Sequence, residues 1–377
     1  MEPTLEASTR RMSKQLPESS DIPLCVDLDA TLVKTDLLWE GVFLLLKENW
    51  CALLCLPLWW WKGIAQVKYE IARRTWPDFE LLPYRSDVLE LIHQAHADGR
   101  HVVLVSAAHE LLASKVARHL DLFHEVIATR GLLNLKGEQK RLALEERFGR
   151  KRFDYVGNDR ADLPVWAAAR RAYVVTNNRR LLRRAEAVAC ISSIKAGTSV
   201  LRAQARGMRL HQWSKNILVF VPIITAHQIA HPRILAKGVV AFFAFGLVSS
   251  SVYLVNDLLD LQADRAHKIK RVRPFAAGDV SAAHGFMLAS LLLVLGLTLS
   301  IVAGVPLVGA LLAGYFAMSF VYSCFLKRVV ILDVLLLAGF YTLRIFAGGA
   351  ATRIAVSGWL LAFSMFFFFG LALVKRC

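Results

Sequence analysis

Long apolar runs separated by short loops fill the C-terminal half of this 377-residue chain, and they constrain its fold more than any other feature. About six of these runs approach the roughly 20 residues that a helix needs to cross a bilayer. A soluble helical domain does not need so many long apolar helices, so the runs predict a membrane domain. The first run is short and contains Pro222, which also allows a re-entrant or broken helix. The predicted spans lie near residues 217–229, 234–255, 286–302, 305–325, 329–350 and 356–374.

Basic residues outnumber acidic ones by 46 to 30, which gives a formal net charge of +16. Nucleic acid and an anionic membrane face both suit such a surplus, but the apolar runs favour the lipid bilayer, and we expect no nucleic-acid partner. Basic residues follow the even-numbered spans, as the positive-inside rule requires if the N-terminal part is cytoplasmic. They lie at Arg265–Arg273, Lys327–Arg328 and Lys375–Arg376. The sequence therefore predicts a multi-pass protein of the inner (cytoplasmic) membrane with both ends in the cytoplasm.

The N-terminal half has a different texture. Residues 1–20 are polar and lack the apolar core of a secretory signal, so we interpret them as a disordered tail. Over residues 21–195, short β-branched runs alternate with helix-like stretches, which predicts an α/β doubly wound parallel sheet. Residues 196–208 form a basic linker that lies either against anionic lipid or in solvent. An all-α multi-span domain follows over residues 209–377, and the six scattered Cys residues predict neither a disulfide framework nor a zinc site.

The first predicted strand runs into the sequence DLDAT, which places Asp27, Asp29 and Thr31 at the carboxyl end of a strand. Doubly wound folds place their chemistry at that edge. The two-residue spacing points both carboxylates the same way, so one can attack phosphorus while the other exchanges the proton of the leaving group. Three later residues supply a hydroxyl, a cation and a carboxylate for Mg²⁺, as phosphoryl transfer requires: Ser106, Lys140 and Asp162.

With these motifs, residues 21–195 resemble the haloacid-dehalogenase superfamily of phosphatases. The resemblance implies Asp27 as nucleophile and Asp29 as acid/base. It further implies these roles: Thr31 and Ser106 as phosphate ligands, Lys140 as charge stabiliser, and Asp27, Asp29 and Asp162 around Mg²⁺. The sequence departs from the family pattern at Ala30, where Gly is usual, and at Asn158, where an acidic metal ligand is common and Asp159 is adjacent.

An insertion at about residues 36–98 occupies the position of that family's helical cap. It contains the run Trp59–Trp61 followed by Lys62. Two interpretations remain open, because the tryptophans either pack within a cap or lie at the lipid headgroups as an aromatic anchor.

A second acidic cluster follows the second predicted span. On a helix its members fall at i, i+1, i+4 and i+8 and share one broad face: Asn256, Asp257, Asp260 and Asp264. Three carboxylates there would repel one another without a cation, and Mg²⁺ would bridge them to the phosphate oxygens of a diphosphate substrate. Basic residues that would surround the same anion follow directly: Arg265, His267, Lys270, Arg271 and Arg273.

This stretch makes residues 209–377 resemble the UbiA superfamily of intramembrane prenyltransferases, with Lys215 and Asn216 in the preceding substrate-binding segment. Members that prenylate aromatic rings generally carry a second Asp-rich motif, whereas here the position four beyond Asp333 is Leu337. The pattern is more similar to the decaprenyl-phosphate phosphoribosyltransferase branch. We expect catalytic roles for Tyr322, which would orient the ribose, and for Lys327, which would take up charge as the diphosphate leaves. Arg344 should face the cavity, because an arginine inside an apolar span is costly to expose to lipid. The superfamily fold has about nine spans, so we expect a C-terminally truncated domain.

We therefore expect a Mg²⁺-dependent membrane transferase that moves phosphoribose from phosphoribosyl diphosphate to a polyprenyl phosphate. Its N-terminal domain would remove the 5-phosphate afterwards. The alternative is a prenyltransferase that moves a prenyl chain from a prenyl diphosphate to an aromatic acceptor, with the N-terminal domain a catalytically silent docking module.

Overall fold

The computed structural model describes residues 22–131, 134–195, 197, 200–326 and 329–374. The strands are β1 Leu24–Asp27, β2 Val102–His109, β3 Glu125–Thr129, β4 Asp154–Gly157, β5 Ala172–Val175 and β6 Ile191–Ile194. The helices are α1 Leu37–Glu48, α2 Leu56–Trp61, α3 Ile64–Ala72, α4 Ser86–Ala97, α5 Glu110–Leu120, α6 Glu138–Phe148, α7 Leu163–Ala168, α8 Arg179–Glu186, α9 Val200–Met208, α10 Val221–Thr225, α11 Pro232–Leu259, α12 Leu261–Ala266, α13 Ala282–Val302, α14 Pro306–Cys324, α15 Val330–Thr352 and α16 Gly358–Val374.

The chain forms two compact units, and the first contains the sheet. This unit comprises Met1–Leu32 and Arg85–Ala196. Its six strands are all parallel in the order β3-β2-β1-β4-β5-β6, so the chain reverses direction across the sheet between β1 and β4. The strands at the centre are apolar and buried because helices cover parallel sheets on both faces. This confirms the predicted doubly wound sheet, and the topology puts the ends of β1 and β4 side by side at the switch point.

The insertion divides differently from the expected cap over residues 36–98. Residues Val33–Tyr84 group with the membrane helices in the second unit, whereas α4 groups with the sheet. Val33 and Tyr84 pair as an isolated antiparallel bridge, and the Lys34 amide donates to the Pro83 carbonyl at 3.0 Å. The two ends of the insertion therefore lie side by side and form a narrow two-stranded neck, through which it joins the sequence of the sheet unit.

The tryptophan run of the insertion splits between two environments. Trp59 is buried beneath the guanidinium of Arg74, which lies 4.8 Å from its ring centroid. Trp60 and Trp61 are 66% and 90% exposed, in line with the headgroup-anchor interpretation for these two.

The membrane unit contains four helices that are long and apolar enough to cross a bilayer, among the residues described: α11, α13, α14 and α15. Helix α16 is a shorter apolar helix of 17 residues, at the lower end of the length range for a span. The predicted helical membrane domain is confirmed, and these five helices correspond to five of the six predicted spans.

The first predicted span, residues 217–229, takes the broken form that Pro222 allowed. A 3₁₀ segment, Leu210–Phe220, leads directly into the five-residue helix α10. This stretch runs antiparallel along α11, since the Trp213 indole packs on Gly246 while Phe220 and Ile223 pack on Gly238. At about 2.0 Å per 3₁₀ residue and 1.5 Å per α residue it extends about 30 Å, comparable with the thickness of the bilayer core.

Candidate functional site

The catalytic carboxylate predicted from DLDAT lies at the end of β1, buried among polar partners. Asp27 Oδ1 accepts a hydrogen bond from Lys140 Nζ at 2.7 Å. Its Oδ2 accepts one from the Thr31 hydroxyl at 3.0 Å, and the same hydroxyl lies 3.0 Å from Asn158 Oδ1. Helix α6 thus brings Lys140, 113 residues away, onto the carboxylate.

A tyrosine that the sequence analysis did not single out joins this group. The Tyr155 hydroxyl accepts from Lys140 Nζ at 2.9 Å and donates to Asp162 Oδ1 at 3.0 Å. Lys140 Nζ itself lies 3.7 Å from that Asp162 oxygen. Tyr155 resembles core sequence because it alternates with apolar residues in a buried strand, so no local signal marks it.

Asp162 is held by backbone as well as by side chains. Its Oδ2 accepts from the amides of Asn158 and Asp159, each at 3.0 Å. Asp159 caps the 3₁₀ turn Arg160–Asp162 from an exposed position, so Asn158 rather than Asp159 lies next to Thr31. Gly157 makes room, because a Cβ there would lie 2.7 Å from Asp162 Oδ2.

Asp29 and Ser106 occupy the same edge with different exposure. Asp29 is half-buried. Burial lowers the pKa of Lys140, but the negative charges of Asp27 and Asp162, with a smaller effect of Asp29, raise that pKa overall. Ser106 is fully buried, and its Oγ accepts from the Ala108 amide at 2.9 Å. Ala30, between Asp29 and Thr31, has φ of 55°, the left-handed region that favours glycine.

Burial dominates the electrostatics of Asp27. Desolvation, with the nearby charge of Asp162, raises the pKa of Asp27 to about 6, while Lys140 and Thr31 oppose that shift. At neutral pH the carboxylate is therefore ionised and held against a protonated lysine. That is the state a nucleophilic carboxylate requires.

The oxygen donors of this site fit Mg²⁺. The carboxylates of Asp27 and Asp162 lie on either side of Lys140 Nζ, and the Asn158 amide oxygen is adjacent through Thr31. Carboxylate and amide oxygens are the hard ligands that Mg²⁺ prefers, and the ion keeps several waters, so few protein ligands suffice.

The three carboxylates of the acidic motif in the membrane unit have two different sets of partners. Asp257 is paired with Arg209 and lies 3.2 Å from Arg273 Nη1, and the same guanidinium nitrogen donates to Asp264 at 2.7 Å. Asp260 sits at the break between α11 and α12, where its Oδ1 accepts from Lys47 Nζ at 2.9 Å. The expectation of one shared face holds for Asp257 and Asp264, which Arg273 bridges, but the helix break turns Asp260 towards the insertion.

This donor set fits a divalent cation in chemistry, since it offers three carboxylates within eight residues. In this geometry each of the three carboxylates is already paired with a cation of the protein. Within the described ranges, no three acidic, histidine or cysteine side chains come together as a metal site.

The basic residues after the motif differ in availability. Arg265 is buried and does not join an anion site, since its guanidinium is bound in bidentate fashion by Glu40 and also donates to the Ala276 carbonyl at 3.1 Å. His267, Lys270 and Arg271 are exposed, as the expected role requires. Arg273 bridges Asp257 and Asp264 from a half-buried position.

A cavity of about 150 Å³ adjoins the motif inside the helix bundle. Its lining includes Lys215, Asn256, Tyr322, Tyr341 and Arg344. Three aromatic rings surround the Arg344 guanidinium at centroid distances of 4.7 to 5.6 Å: Phe245, Tyr315 and Tyr341.

Arg344 has neutral hydrogen-bond partners. Its Nε donates to Asn216 Oδ1 at 3.0 Å, and the buried Asn216 Nδ2 has no hydrogen-bond partner within the described chain. Lys215 lies over the Tyr341 ring at 5.6 Å. Among the residues that the structure describes, neither cation forms an ion pair with a carboxylate. An anion would therefore find two cations and an open amide donor here.

The two catalytic candidates of the fourth span have different outcomes. The Tyr322 hydroxyl lines the cavity and donates to the buried carboxylate of Asp333. Lys327 lies outside the described residues. Asn256 Oδ1 accepts from the Ser323 hydroxyl at 2.6 Å, which orients that amide towards the cavity.

Comparisons with known proteins identify both halves. The UbiA prenyltransferase family model matches residues 218–376, and the haloacid dehalogenase-like hydrolase model matches residues 24–167. The uncharacterized protein y4nM of Sinorhizobium fredii is 38% identical over 360 residues, covering 94% of this chain and 69% of that protein. The chain belongs to the UbiA prenyltransferase family. This UbiA-family protein is a multi-pass membrane transferase with an N-terminal haloacid dehalogenase-like domain.

Two further relatives align over shorter stretches. Nodulation protein NoeC of Azorhizobium caulinodans is 39% identical over 168 residues, which is 45% of this chain and 54% of that protein. Decaprenyl-phosphate phosphoribosyltransferase of Mycolicibacterium smegmatis is 37% identical over 177 residues, which is 45% of this chain and 55% of that enzyme. The UbiA-family chain thus spans about half the length of these two relatives.

Proposed function

We propose that this UbiA-family protein transfers phosphoribose from phosphoribosyl diphosphate to a polyprenyl phosphate, and that its N-terminal domain then hydrolyses the 5-phosphate of the lipid-linked product. The observation that carries the transfer step is the cavity with Lys215 and Arg344. Two cations without carboxylate partners, in the described chain, suit a donor with several phosphates. Similarity to a decaprenyl-phosphate phosphoribosyltransferase supports the same substrate class.

In the transfer step the cavity residues would bind and orient the donor. Arg344 and Lys215 would bind phosphate oxygens, and Asn216 would donate from its free amide hydrogen atoms. Tyr322, fixed by Asp333, would position the ribose, and the exposed cations His267, Lys270 and Arg271 would attract the leaving diphosphate. Lys327 retains its proposed role beside that leaving group. Asp257, Asp260 and Asp264 would hold Mg²⁺, which supplies neutralising charge to the diphosphate.

In the hydrolytic step the residues of the sheet edge would act in turn. Asp27 would attack the phosphorus while Lys140, Thr31 and Ser106 stabilise the phosphoryl oxygens. Asp29 would give a proton to the leaving hydroxyl and later take one from water. Asp27, Asp29 and Asp162 would hold Mg²⁺ there.

The transferase proposal is tested in membranes that contain the protein. Radiolabelled phosphoribosyl diphosphate with polyprenyl phosphate should give a labelled lipid, and Asp260→Asn should abolish it. Arg344→Gln should reduce it about tenfold or more, because a charge-assisted contact is lost, whereas Arg353→Gln at an exposed position should not. Transfer of a prenyl chain to an aromatic acid, with no phosphoribosyl transfer, would replace this proposal with the aromatic prenyltransferase.

Coupling of the two steps has its own test. Asp27→Asn should accumulate the phosphorylated lipid while the exposed control Asp87→Asn gives the dephosphorylated one. An identical lipid product from wild type and Asp27→Asn would contradict the coupling and favour a silent docking domain.

The orientation is a proposal as well. We place the motif end of α11, helix α9 and the insertion on the cytoplasmic face of the inner membrane, because the basic loop Arg265–Arg273 lies at that end. Cysteine labelling from outside should therefore miss position 270 in Lys270→Cys and reach position 304 in Gly304→Cys. The reverse pattern would overturn the assignment.

A further inference from the structure

Helix α1 of the insertion packs on the motif end of the membrane unit rather than forming a separate lobe. Phe43 belongs to the same buried cluster as Leu254 and Leu258 of α11. Its ring and that of Trp39 contact Phe286 of α13, at centroid distances of 6.1 and 5.7 Å. This apolar contact fixes one face of α1 against the end of the span that carries the acidic motif.

Two charged residues on that helix face reach the motif itself. Glu40 forms the buried bidentate pair with Arg265, and both side chains are 4% exposed. Lys47 lies two turns further along α1, at i+7, and donates to Asp260. Breaking a buried pair leaves an uncompensated charge, so Glu40 holds the helix, and with it Lys47, in register with the motif.

Lys47 supplies a cation to Asp260, at 2.9 Å. Asp257 and Asp264 are neutralised by arginines of the membrane domain, whereas the cation on Asp260 comes from 213 residues earlier in the chain. The Lys47–Asp260 pair is partly exposed, with side chains 20% and 25% accessible, so it can open without unpacking the core. Lys47 also lines a cavity of about 480 Å³ between α1 and the α11–α12 junction, which gives its ammonium group room to move.

We propose that Lys47 is a built-in counter-ion that occupies Asp260 in the resting enzyme and yields it to a divalent cation, so that the insertion sets the metal affinity of the transferase motif. The inference rests on the proposed function, in which Asp260 is a metal ligand. Lys47 is a positioning residue in this scheme, since it acts through Asp260. The physical basis is simple competition: an ammonium at 2.9 Å and a divalent cation cannot share the same carboxylate oxygen without repulsion.

The test measures Mn²⁺ binding to the purified full-length protein by electron paramagnetic resonance, with no organic substrate. Lys47→Met removes the charge and keeps the side-chain length, and Lys47→Arg keeps the charge. Lys62→Met is the matched control, because Lys62 is an exposed lysine of the same insertion. Asp260→Asn defines the part of the binding that belongs to the motif.

We expect Lys47→Met to tighten the Asp260-dependent Mn²⁺ affinity by about three- to tenfold, the range for a partly exposed pair near a multiply charged site. Lys47→Arg and Lys62→Met should leave it within about twofold. Unchanged or weaker Asp260-dependent binding in Lys47→Met overturns the inference while the proposed metal role of the motif stands. Binding that does not depend on Asp260 in any variant overturns that metal role, and the inference with it.

Discussion

Ala30 shows at the level of one residue how the phosphatase-like site is adjusted to its sequence. The turn after β1 needs a left-handed backbone between Asp29 and Thr31, and alanine adopts it with φ of 55°. A Cβ in that conformation is strained by about 1–2 kcal/mol, and the buried partners of Asp27 and Thr31 over-determine the turn. The contacts of the Thr31 hydroxyl and the Asp27 carboxylate thus hold the turn in this strained conformation at the expense of stability.

Replacing Ala30 with glycine should therefore stabilise the protein. We expect Ala30→Gly to raise the free energy of unfolding by about 0.5–1 kcal/mol, after the greater flexibility of glycine in the unfolded chain is subtracted. Denaturant unfolding of the full chain in detergent measures it. Ala97→Gly, in the exposed last turn of α4, should change stability in the opposite direction.

A second single residue, His109, is expected to make the stability of the protein depend on pH. Its Nδ1 caps α5 by accepting from the Leu111 amide at 3.2 Å, which requires a neutral ring. Burial lowers the pKa of His109, although Glu110 opposes the shift. A histidine with a lowered folded pKa binds fewer protons in the folded state, so its contribution is complete above the unfolded pKa of about 6.5 and is lost as pH falls below it.

Thermal unfolding at pH 7.5 and 5.5 checks this dependence. Wild type should lose more stability over that interval than His109→Asn, because asparagine caps a helix without titrating. Equal losses in the two proteins would assign the acid sensitivity to other groups.

At the level of elements, the junction of β4 with the 3₁₀ turn Arg160–Asp162 builds half of the hydrolytic site. The close approach depends on Gly157, where a Cβ would lie 2.7 Å from both Asp162 Oδ2 and Tyr155 Cε1. Those two side chains connect to Lys140, so a displacement there reaches Asp27.

Gly157→Ala should therefore damage activity and stability together. We expect overpacking to lower the free energy of unfolding by about 1–3 kcal/mol and phosphatase turnover to fall about tenfold or more. Thermal unfolding and hydrolysis of a phosphate monoester measure the two effects. Gly339→Ala serves as the control, because nothing lies within 4 Å of the new methyl group; it should leave turnover unchanged and, inside helix α15, should not lower stability.

The sequence predicts elements well where one local pattern decides them. The alternation of strands and helices predicts the parallel sheet, and the common edge of parallel strands predicts that Asp27 and Asp162 lie close together, whereas Lys140, in helix α6, is predicted from the family pattern. Tyr155 could not be predicted, since an interior strand residue resembles core. The pairing of Lys47 with Asp260 could not be predicted either, because no local periodicity relates residues so far apart.

At the scale of the whole molecule, the insertion belongs to the membrane unit, although in sequence it lies within the sheet unit. Composition alone could not decide this, because the apolar residues of α1 and α2 suit a cap and a membrane-side element equally. The ends of the sheet unit at the insertion are adjacent, since the Arg85 amide donates to the Leu32 carbonyl at 2.9 Å.

Excision of the insertion tests that division. A fragment of residues 22–196 in which an Asn-Gly turn replaces residues 33–84 should be soluble and monomeric by size-exclusion chromatography. The same fragment with the insertion retained should aggregate, because Trp39 and Phe43 lose their partners and Trp60 and Trp61 remain exposed. Equal solubility of the two fragments would contradict the assignment of the insertion to the membrane unit.

The same neck determines how the halves are tied by covalent bonds. The polypeptide passes between the units three times, after Leu32, after Tyr84 and after Ala196. A protease that cuts once between Ile194 and Val200 would break the covalent link between the hydrolase-like domain and the transmembrane helices, but the two strands of the neck would still join that domain to the insertion, which packs on those helices. Two further cuts in the neck would free the hydrolase-like domain from the insertion, so after cleavage of the linker alone the packing of the insertion still holds that domain at the membrane helices.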